Sequence, residues 1–454
     1  METFDVIVIG GGSGLNVSSA ASDEKKRVAL IEPGPMGGTC LNRGCIPSKI
    51  LIHSADVARI IQRSSLYGIS AKITGIDFKK IIGDRASSRV DKEAKEIEEA
   101  ISEDKYITLF KTKAFFTGNK TLQVGNKKIF GDKIVVAAGT RPSVPPVEGI
   151  HDVPYITSDE ALRLKKLPKS MTVLGGGYIA AELADFYSAL GTKITVIQRS
   201  DVMVKNEDAA IAKAFTKAFA KHNNVLTGHA VKKVEKKGKN IMTTAADAKG
   251  KEITVESEQL LVAAGRVPNT DVLQVDKTGV KMNKEGYVET NQYMETNVKH
   301  IWALGDIAGK YLFKHSANAE AKVVVQNAIY GKKVAVNYTA MPHAIFSSPQ
   351  VAGVGERQQD LDARRADYAV GEYRYIDTGM GLALEDTEGF VRVYVDRKTL
   401  KILGCHILGT DASTAIHEVI LAMRHGITAK QLVETIHIHP ALSEVVQRAC
   451  ANLE

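Results

Sequence analysis

Phe4-Asp5-Val6-Ile7-Val8-Ile9-Gly10-Gly11-Gly12-Ser13-Gly14 opens the chain, and its reading decides the fold class. A short apolar run of β-branched residues that stops at glycine reads as a parallel strand buried on both faces. A breaker-free helical stretch follows to about Asp23. A second strand, Arg27-Val28-Ala29-Leu30-Ile31, ends in Glu32. Strand, glycine turn, helix and strand make a βαβ unit. Gly10 permits the tight turn, and Gly12 lets a pyrophosphate approach the backbone at the helix N-terminus. Glu32 stands 22 positions beyond Gly10, where an acid meets ribose hydroxyls. The third glycine of the pattern should fall at position 15, which is Leu15, with Gly14 one residue early. That glycine serves helix–strand packing, so a local shift is expected and the site is retained.

The second half of the chain repeats the first. Met171-Thr172-Val173-Leu174 is a strand, and Gly175-Gly176-Gly177-Tyr178-Ile179-Ala180 places Gly175, Gly177 and Ala180 at the fingerprint positions. The helix continues to Leu190, Gly191 caps it, and Lys193-Ile194-Thr195-Val196-Ile197 is the next strand. The apolar strand Lys133 to Ala138, ending in Gly139-Thr140, is echoed by Leu260 to Ala264, ending in Gly265-Arg266. Two such units imply two dinucleotide sites; the plainer alternative is duplication without binding. An acid after the second strand would bind the ribose 2′-hydroxyl of NAD. Here Gln198 and Arg199 follow, with Lys205 beyond. Loss of the acid and gain of positive charge lean towards NADP, unless Arg199 and Lys205 are plain surface cations.

Further along, a helix is expected from Cys45 through Ala58 and a long charged one from Asp77 to Ser102. Lys111 to Lys128 reads as short strands with turns at Gly118-Asn119 and Gly125-Asn126. Pro142, Pro145 and Pro146 mark a linker. The lysine cluster from Lys232 to Lys239 reads as a solvated hairpin. Ile301-Trp302-Ala303-Leu304-Gly305-Asp306 is a strand ending in an acid suited to a polyol chain, and Lys314 to Tyr330 reads as helical. From Ala335 the character changes to α+β, with strands Phe390 to Asp396 and Ile402 to Leu408 and helices Thr414 to His425 and Ala429 to Thr435. The expected architecture is α/β, with two Rossmann-like domains and a C-terminal α+β domain. Residues 1–145, 146–270, 271–335 and 336–454 are the expected divisions, the third completing the first.

Composition excludes several classes. The chain has 454 residues and a net charge of +8. The lysines are scattered and lack interleaved aromatics, so nucleic acid is not the expected partner; attraction to cofactor phosphates is. No run of eighteen apolar residues occurs, so no membrane span is expected. The first strand starts at Phe4 and no basic n-region followed by an apolar h-region is visible, so no secretory signal is expected. Four cysteines do not make a disulfide framework, and the cytoplasm is the expected compartment.

Two of those cysteines lie in Gly37-Gly38-Thr39-Cys40-Leu41-Asn42-Arg43-Gly44-Cys45-Ile46-Pro47-Ser48-Lys49. Residues four or five apart on a helix rise by about 6–7.5 Å, near the Cα separation a disulfide tolerates. A first helical turn also favours thiolate. The pair can alternate between disulfide and dithiol. Two structural cysteines, or half a zinc site, are the alternatives, but zinc needs a second pair and none exists, so no metal site is expected. In the tail, His439-Pro440-Ala441-Leu442-Ser443-Glu444 sets an imidazole and a carboxylate around a proline turn. A carboxylate on one imidazole nitrogen raises the basicity of the other, which suits proton transfer with a thiol; two surface histidines near a helix start are the plainer reading.

Together these residues resemble the flavoprotein disulfide reductases, the class I pyridine nucleotide-disulfide oxidoreductases, over essentially the whole chain. Within that family the likeness is nearest to the dihydrolipoamide dehydrogenases, through Cys45-Ile46-Pro47-Ser48-Lys49 and the His439 to Glu444 tail. The resemblance implies FAD on the first unit, with Glu32 at its ribose and Asp306 at its ribityl chain, and NAD(P) on the second. It implies Lys49 near the flavin N5 and paired with Glu182, Cys45 facing the flavin, and Cys40 exchanging with substrate. It further implies His439, backed by Glu444, as a base acting across a homodimer interface. Gly38, Thr39, Gly139, Gly265 and Arg266 complete the expected cofactor contacts. Electrons would pass from dihydrolipoamide, free or as the lipoyl group of a carrier in a 2-oxoacid dehydrogenase complex, to NAD(P)+. Gln198-Arg199 departs from that pattern towards the NADPH-driven glutathione and mercuric reductases, so reduction of another small disulfide or of mercuric ion is the alternative. The lone Cys450 argues against mercuric ion. A non-catalytic binding protein that keeps the fold is the third reading; the complete set of Cys40, Cys45, His439 and Glu444 counts against it.

Overall fold

The computed structural model describes residues 1–454, which fall into two compact units. The first comprises residues 1–48, 82–143 and 265–338; the second comprises residues 49–81, 144–264 and 339–454.

In the first unit the strand Glu2–Ile9 lies between Val28–Ile31 and Lys127–Val136 and is parallel to both, and Ile107–Phe110 extends the sheet past Val28–Ile31. The outer edge of Lys127–Val136 is shared. Thr121–Val124 pairs antiparallel with its first half and Ile301–Ala303 pairs parallel with its second. Ala114–Gly118 completes the sheet as an antiparallel neighbour of Thr121–Val124. Alternation along the strands explains the unbroken apolar run. Val6, Val8, Val28 and Leu30 enter one core with Val17 and Ala21 of the helix Leu15–Asp23. Ile7, Ile9, Ala29 and Ile31 enter the other core with Phe116 and Leu122. Successive residues point to opposite faces, and both faces are covered.

The glycine turn obeys steric necessity. Gly10 has φ +116°, and a Cβ there would lie 2.3 Å from the carbonyl oxygen of Ala137. At Gly14 a Cβ would lie 2.4 Å from Gly10 O and 2.9 Å from Val8 Cγ1. Gly14 therefore makes the close helix–strand contact, and Leu15 is tolerated one position later, as the shifted pattern requires.

The second unit repeats this βαβ arrangement. Lys193–Ile197 and Gln259–Val262 flank Ser170–Leu174 in a parallel sheet, with Asn224–Leu226 at one edge. The helix Tyr178–Ala189 follows the second glycine turn. Gly175 has φ +107°, and a Cβ on it would lie 2.3 Å from the carbonyl oxygen of Ala263, as Gly10 stands to Ala137. The lysine-rich stretch is the hairpin Ala230–Lys237 and Asn240–Ala246, continued by Glu252–Ser257. The C-terminal part carries a five-stranded antiparallel sheet in the order Pro342–Ile345, Gln350–Gly355, Ile402–Gly409, Phe390–Asp396, Tyr368–Arg374. Its core includes Val391, Val393, Ile407, Val419, Leu432 and Val446.

Three expectations shift. The helix from Cys45 runs to Arg63, past Ala58. The long charged helix begins as a wider π-helical turn, Lys80–Ser87, before the α-helix Ser88–Glu103. The helix expected from Thr414 to His425 is two, Ala412–Ala415 and His417–His425, which meet at Ile416. No helix is long and apolar enough to cross a membrane.

Gly10→Ala is expected to destabilise the protein by at least about 2 kcal/mol, because it adds both a clash and a strained φ. Gly12→Ala, whose Cβ would meet only Gly38 Cα at 3.6 Å, is expected to cost within about 1 kcal/mol. Urea unfolding of both variants checks the contrast; equal midpoints would contradict it.

Candidate active site

The cysteine stretch is seated on the first glycine turn. The amide of Gly37 donates to the carbonyl oxygen of Gly11 at 2.8 Å. A Cβ on Gly38 would come within 2.6 Å of Gly12 Cα, so backbone packs on backbone. Asn42, 5% exposed, ties the loop from within. Its Nδ2 donates to the carbonyl oxygens of Met36 at 2.8 Å, Gly38 at 2.9 Å and Pro35 at 3.3 Å.

The two cysteines do not share one helix, which corrects the spacing argument. Cys40 lies in the short helix Gly38–Arg43, and Cys45 is the first residue of Cys45–Arg63. Gly44 forms the junction, where a Cβ would stand 2.9 Å from the Thr39 carbonyl oxygen and 3.4 Å from Cys40 Cα. Both cysteines are free thiols, Cys40 partly buried and Cys45 exposed. The hydrogen bond with the Cys45 side chain, then burial, hold the Cys40 thiol well above the usual range, while Lys314 and the Cys45 backbone pull the other way. The expected helix-terminus effect is therefore outweighed at Cys40. Lys314 was not legible in the sequence: its Nζ donates to Ser13 Oγ at 2.9 Å, and Ser13 Oγ donates to Asn318 Oδ1 at 3.1 Å.

The predicted acids stand at the ends of their strands. Glu32 accepts from the amide of Gly11 through Oε2 and from that of Gly34 through Oε1, each at 2.8 Å. Asp306 accepts from Thr140 Oγ1 at 3.0 Å. Burial raises its carboxyl above the usual range, against the Thr140 hydrogen bond and the Arg266 charge. Arg266 donates to Thr140 Oγ1 at 2.7 Å and to its carbonyl oxygen at 2.8 Å, and Arg266–Pro268 pairs with Thr140–Pro142 in a two-stranded ladder. Glu320, fully buried and missed by sequence reasoning, accepts from the Gly305 amide at 2.6 Å and from Tyr338 Oη at 2.7 Å. It fixes the turn that carries Asp306.

In the second unit Lys49 Nζ meets Glu182 Oε2 at 2.8 Å and Oε1 at 2.9 Å. It also lies 4.5 Å from the centre of the Phe346 ring, whose amide donates to Glu182 Oε1 at 3.1 Å. Gln198 packs beside Gly176 and donates to Ser200 Oγ at 2.9 Å. Arg199 and Lys205 are exposed, and Ala180 is buried. His439 Nδ1 meets Glu444 Oε1 at 2.9 Å, and Glu444 Oε2 accepts from the amide of Ala441 at 2.9 Å. The Ala441 amide, then His439, hold the Glu444 carboxyl below the usual range. The imidazole is 75% exposed, which leaves Nε2 for a reacting partner. The structure thus brings together Cys40 with Cys45, Lys49 with Glu182, and His439 with Glu444.

A dinucleotide fits these turns. Nothing lies within 4 Å of where a Cβ would stand on Gly139, Gly177 or Gly265, so their backbone is open to a ligand, and helices begin at Leu15 and Tyr178 where phosphate is favoured.

Comparison with known proteins agrees. The family described as pyridine nucleotide-disulphide oxidoreductase matches residues 4–331, and its dimerisation domain matches residues 341–450. The chain belongs to this family. The oxidoreductase is 34% identical to mycothione reductase of Mycobacterium tuberculosis, over 100% of both chains. It is 33% identical to dihydrolipoyl dehydrogenase of Geobacillus stearothermophilus, over 99% of this chain and 96% of that one. Mercuric reductase of Staphylococcus aureus is 30% identical, over 99% of this chain and 82% of its own length. Among solved structures, the HOCl-induced flavoprotein disulfide reductase RclA from Escherichia coli, as its Cu(II) complex, superposes with a TM-score of 0.88 at 26% identity, covering 99% of each chain. Members of the family use FAD and NAD(P)H, and this oxidoreductase is a FAD-dependent enzyme of the same fold.

Asn42→Ala leaves three carbonyl oxygens without their shared donor. It is expected to cost about 1–3 kcal/mol in urea unfolding and to speed reaction of the reduced cysteine pair with a disulfide reagent. Unchanged stability and thiol reactivity would contradict the tethering role.

Proposed function

We propose that this oxidoreductase uses NADPH to reduce a small disulfide, with Cys40 and Cys45 cycling between dithiol and disulfide. The observation that carries this reading is the end of the strand Lys193–Ile197. The residue directly after it is Gln198, not a carboxylate; Gln198 is turned to Ser200, and Arg199 and Lys205 are exposed. An acid there selects the ribose 2′-hydroxyl, whereas cations accommodate a 2′-phosphate. The full-length likeness to mycothione reductase supports the same direction.

FAD, when bound, supplies two-electron exchange between the nicotinamide and the cysteine pair. Glu32 and Asp306 would hold its ribose and ribityl hydroxyls, with Gly10, Gly12, Gly14, Gly38, Thr39 and Gly139 lining it. Lys49, held by Glu182, would be the cation beside the flavin. Gly175, Gly177, Ala180, Gly265 and Arg266 serve the nucleotides. The remaining steps belong to this chain's side chains. Cys40 attacks one sulfur of the substrate disulfide and expels the first thiol. Cys45 then attacks Cys40 in the mixed disulfide and expels the second. Two electrons and two protons leave the pair, and the Cys40–Cys45 bond forms as the substrate bond breaks. His439, its tautomer fixed by Glu444, delivers the proton to the leaving sulfur, acting across a homodimer.

A second reading, oxidation of dihydrolipoamide by the same residues in reverse, is favoured by Cys45-Ile46-Pro47-Ser48-Lys49 and by the likeness to dihydrolipoyl dehydrogenase. Its physiological donor would be a lipoyl group on a carrier protein. Mercuric ion is disfavoured as acceptor, since Cys450 is buried at 3% exposure and flanked by Ala449 and Ala451.

Steady-state rates with oxidised glutathione, lipoamide and dihydrolipoamide, each with both nicotinamides, separate the readings. NADPH is expected to exceed NADH in kcat/KM by at least about tenfold. The double variant Gln198→Glu, Arg199→Ala is expected to reverse much of that preference. Wild-type preference for NAD(H), with dihydrolipoamide oxidation the fastest reaction, would overturn the first reading and leave the second.

A further inference from the structure

Three neighbouring strands of the C-terminal sheet carry His343, Gly353 and His406 in register: His343 is paired with Gly353, and Gly353 with His406. Paired residues share a face of the sheet. Two imidazoles therefore flank a position that has no side chain. A Cβ on Gly353 would lie 2.6 Å from His343 Nε2 and 2.8 Å from His406 Nδ1, so its absence lets both nitrogens converge. Glu207 reaches the same point, with Oε2 2.7 Å from His343 Nε2. The three candidate ligand atoms all lie within 4.8 Å of one another.

A second, independent feature is an orphaned nitrogen. His406 is 0% exposed. Its Nε2 lies 3.0 Å from the carbonyl oxygen of Glu356, which makes Nε2 the N–H donor and leaves Nδ1 with a lone pair. That Nδ1 is buried with no hydrogen-bond partner. A buried acceptor without a donor costs about 1–3 kcal/mol, which a bound cation would relieve. Arg392, paired with His406 on the next strand, is engaged by Glu372 and Asp208.

We propose that Glu207, His343 and His406 bind one divalent transition-metal ion of the Zn2+ type. Two neutral imidazoles and one carboxylate suit such an ion. Metal–ligand bonds of about 2.0–2.1 Å place two ligands of one ion at most about 4 Å apart, so the widest pair closes by up to about an ångström. His343, whose side chain is 18% exposed, supplies both that freedom and a route in. The ion takes the place of the proton shared by His343 and Glu207. The other carboxylate oxygen of Glu207 accepts from the hydroxyl of Tyr178, the residue after Gly177. The metal and the second glycine turn thus share one carboxylate. The site uses neither Cys40 nor Cys45 and stands independently of the proposed substrate.

The test is Zn2+ binding to the oxidised, FAD-loaded protein after chelator treatment, measured by equilibrium dialysis with elemental analysis. One Zn2+ per chain is expected. His343→Ala and Glu207→Gln are each expected to weaken binding by at least about tenfold, with FAD content and circular dichroism confirming the fold. The double variant Cys40→Ser, Cys45→Ser is expected to bind Zn2+ as the wild type does. With Co2+ as the probe, the wild-type protein is expected to show no thiolate-to-metal absorption. Failure to bind Zn2+, binding that survives both His343→Ala and Glu207→Gln, loss of binding with the cysteines, or a thiolate–cobalt band would each overturn the proposal.

Discussion

The chemistry of this protein depends on one contact between two stretches of backbone: Gly38 lying against Gly12. At that spacing a Cβ on Gly38 would come within 2.6 Å of the Gly12 Cα, so the cysteine loop can carry no side chain at that point. The Gly37 amide, bonded to Gly11, locks the approach at 2.8 Å. A turn built to admit a pyrophosphate and a loop built to present two thiols are thereby made one object. Asn42 holds the loop from inside and Gly44 ends its short helix. The two sulfurs consequently come from different helices at a fixed junction. A fixed separation suits a bond that must form and break repeatedly without rebuilding its surroundings.

Charge is deployed sparingly around this frame. Glu32 accepts from two backbone amides, and Glu320 from the Gly305 amide and the Tyr338 hydroxyl; both shape turns at the ends of strands. Asp306 is desolvated and held by Thr140, which Arg266 also grips. Lys49 is pinned by both oxygens of Glu182 and by the face of Phe346, which confines a long flexible side chain to one direction. Glu444 accepts from both the Ala441 amide and His439, so its carboxylate is oriented before any substrate arrives. In each case a partner removes rotational freedom from the side chain.

Much of this was legible in the sequence because it is local. Both βαβ units, their glycine turns and the acids at positions 32 and 306 follow from short-range patterns. So does the early glycine at position 14, since the packing contact needs only a bare Cα near Val8. The hairpin after Ala230 and the strands from Phe390 and Ile402 were legible for the same reason. Long-range contacts were not. Lys314 meets Ser13 across 301 positions, and His343 meets Glu207 across 136; no periodicity announces either. The break at Ile416 carries no local breaker that would announce it, and the π-helical turn before Ser88 was not legible either. The raised pKa of Cys40 reflects its hydrogen bond with the Cys45 side chain and then burial, which spacing alone did not weigh against the helix dipole. Substrate identity is the least legible feature, since the redox stretch serves every relative that shares it.

The central claim is that Cys40 and Cys45 exchange electrons with the flavin as one unit. Anaerobic reductive titration of the FAD-loaded protein tests it most directly, with absorbance and free thiols followed together. Full reduction is predicted to take up two electron pairs, the first releasing both thiols while most of the flavin absorbance persists and the second bleaching the flavin. If the flavin bleaches with the first electron pair and the thiol count does not change, the cysteine pair is not part of the electron path.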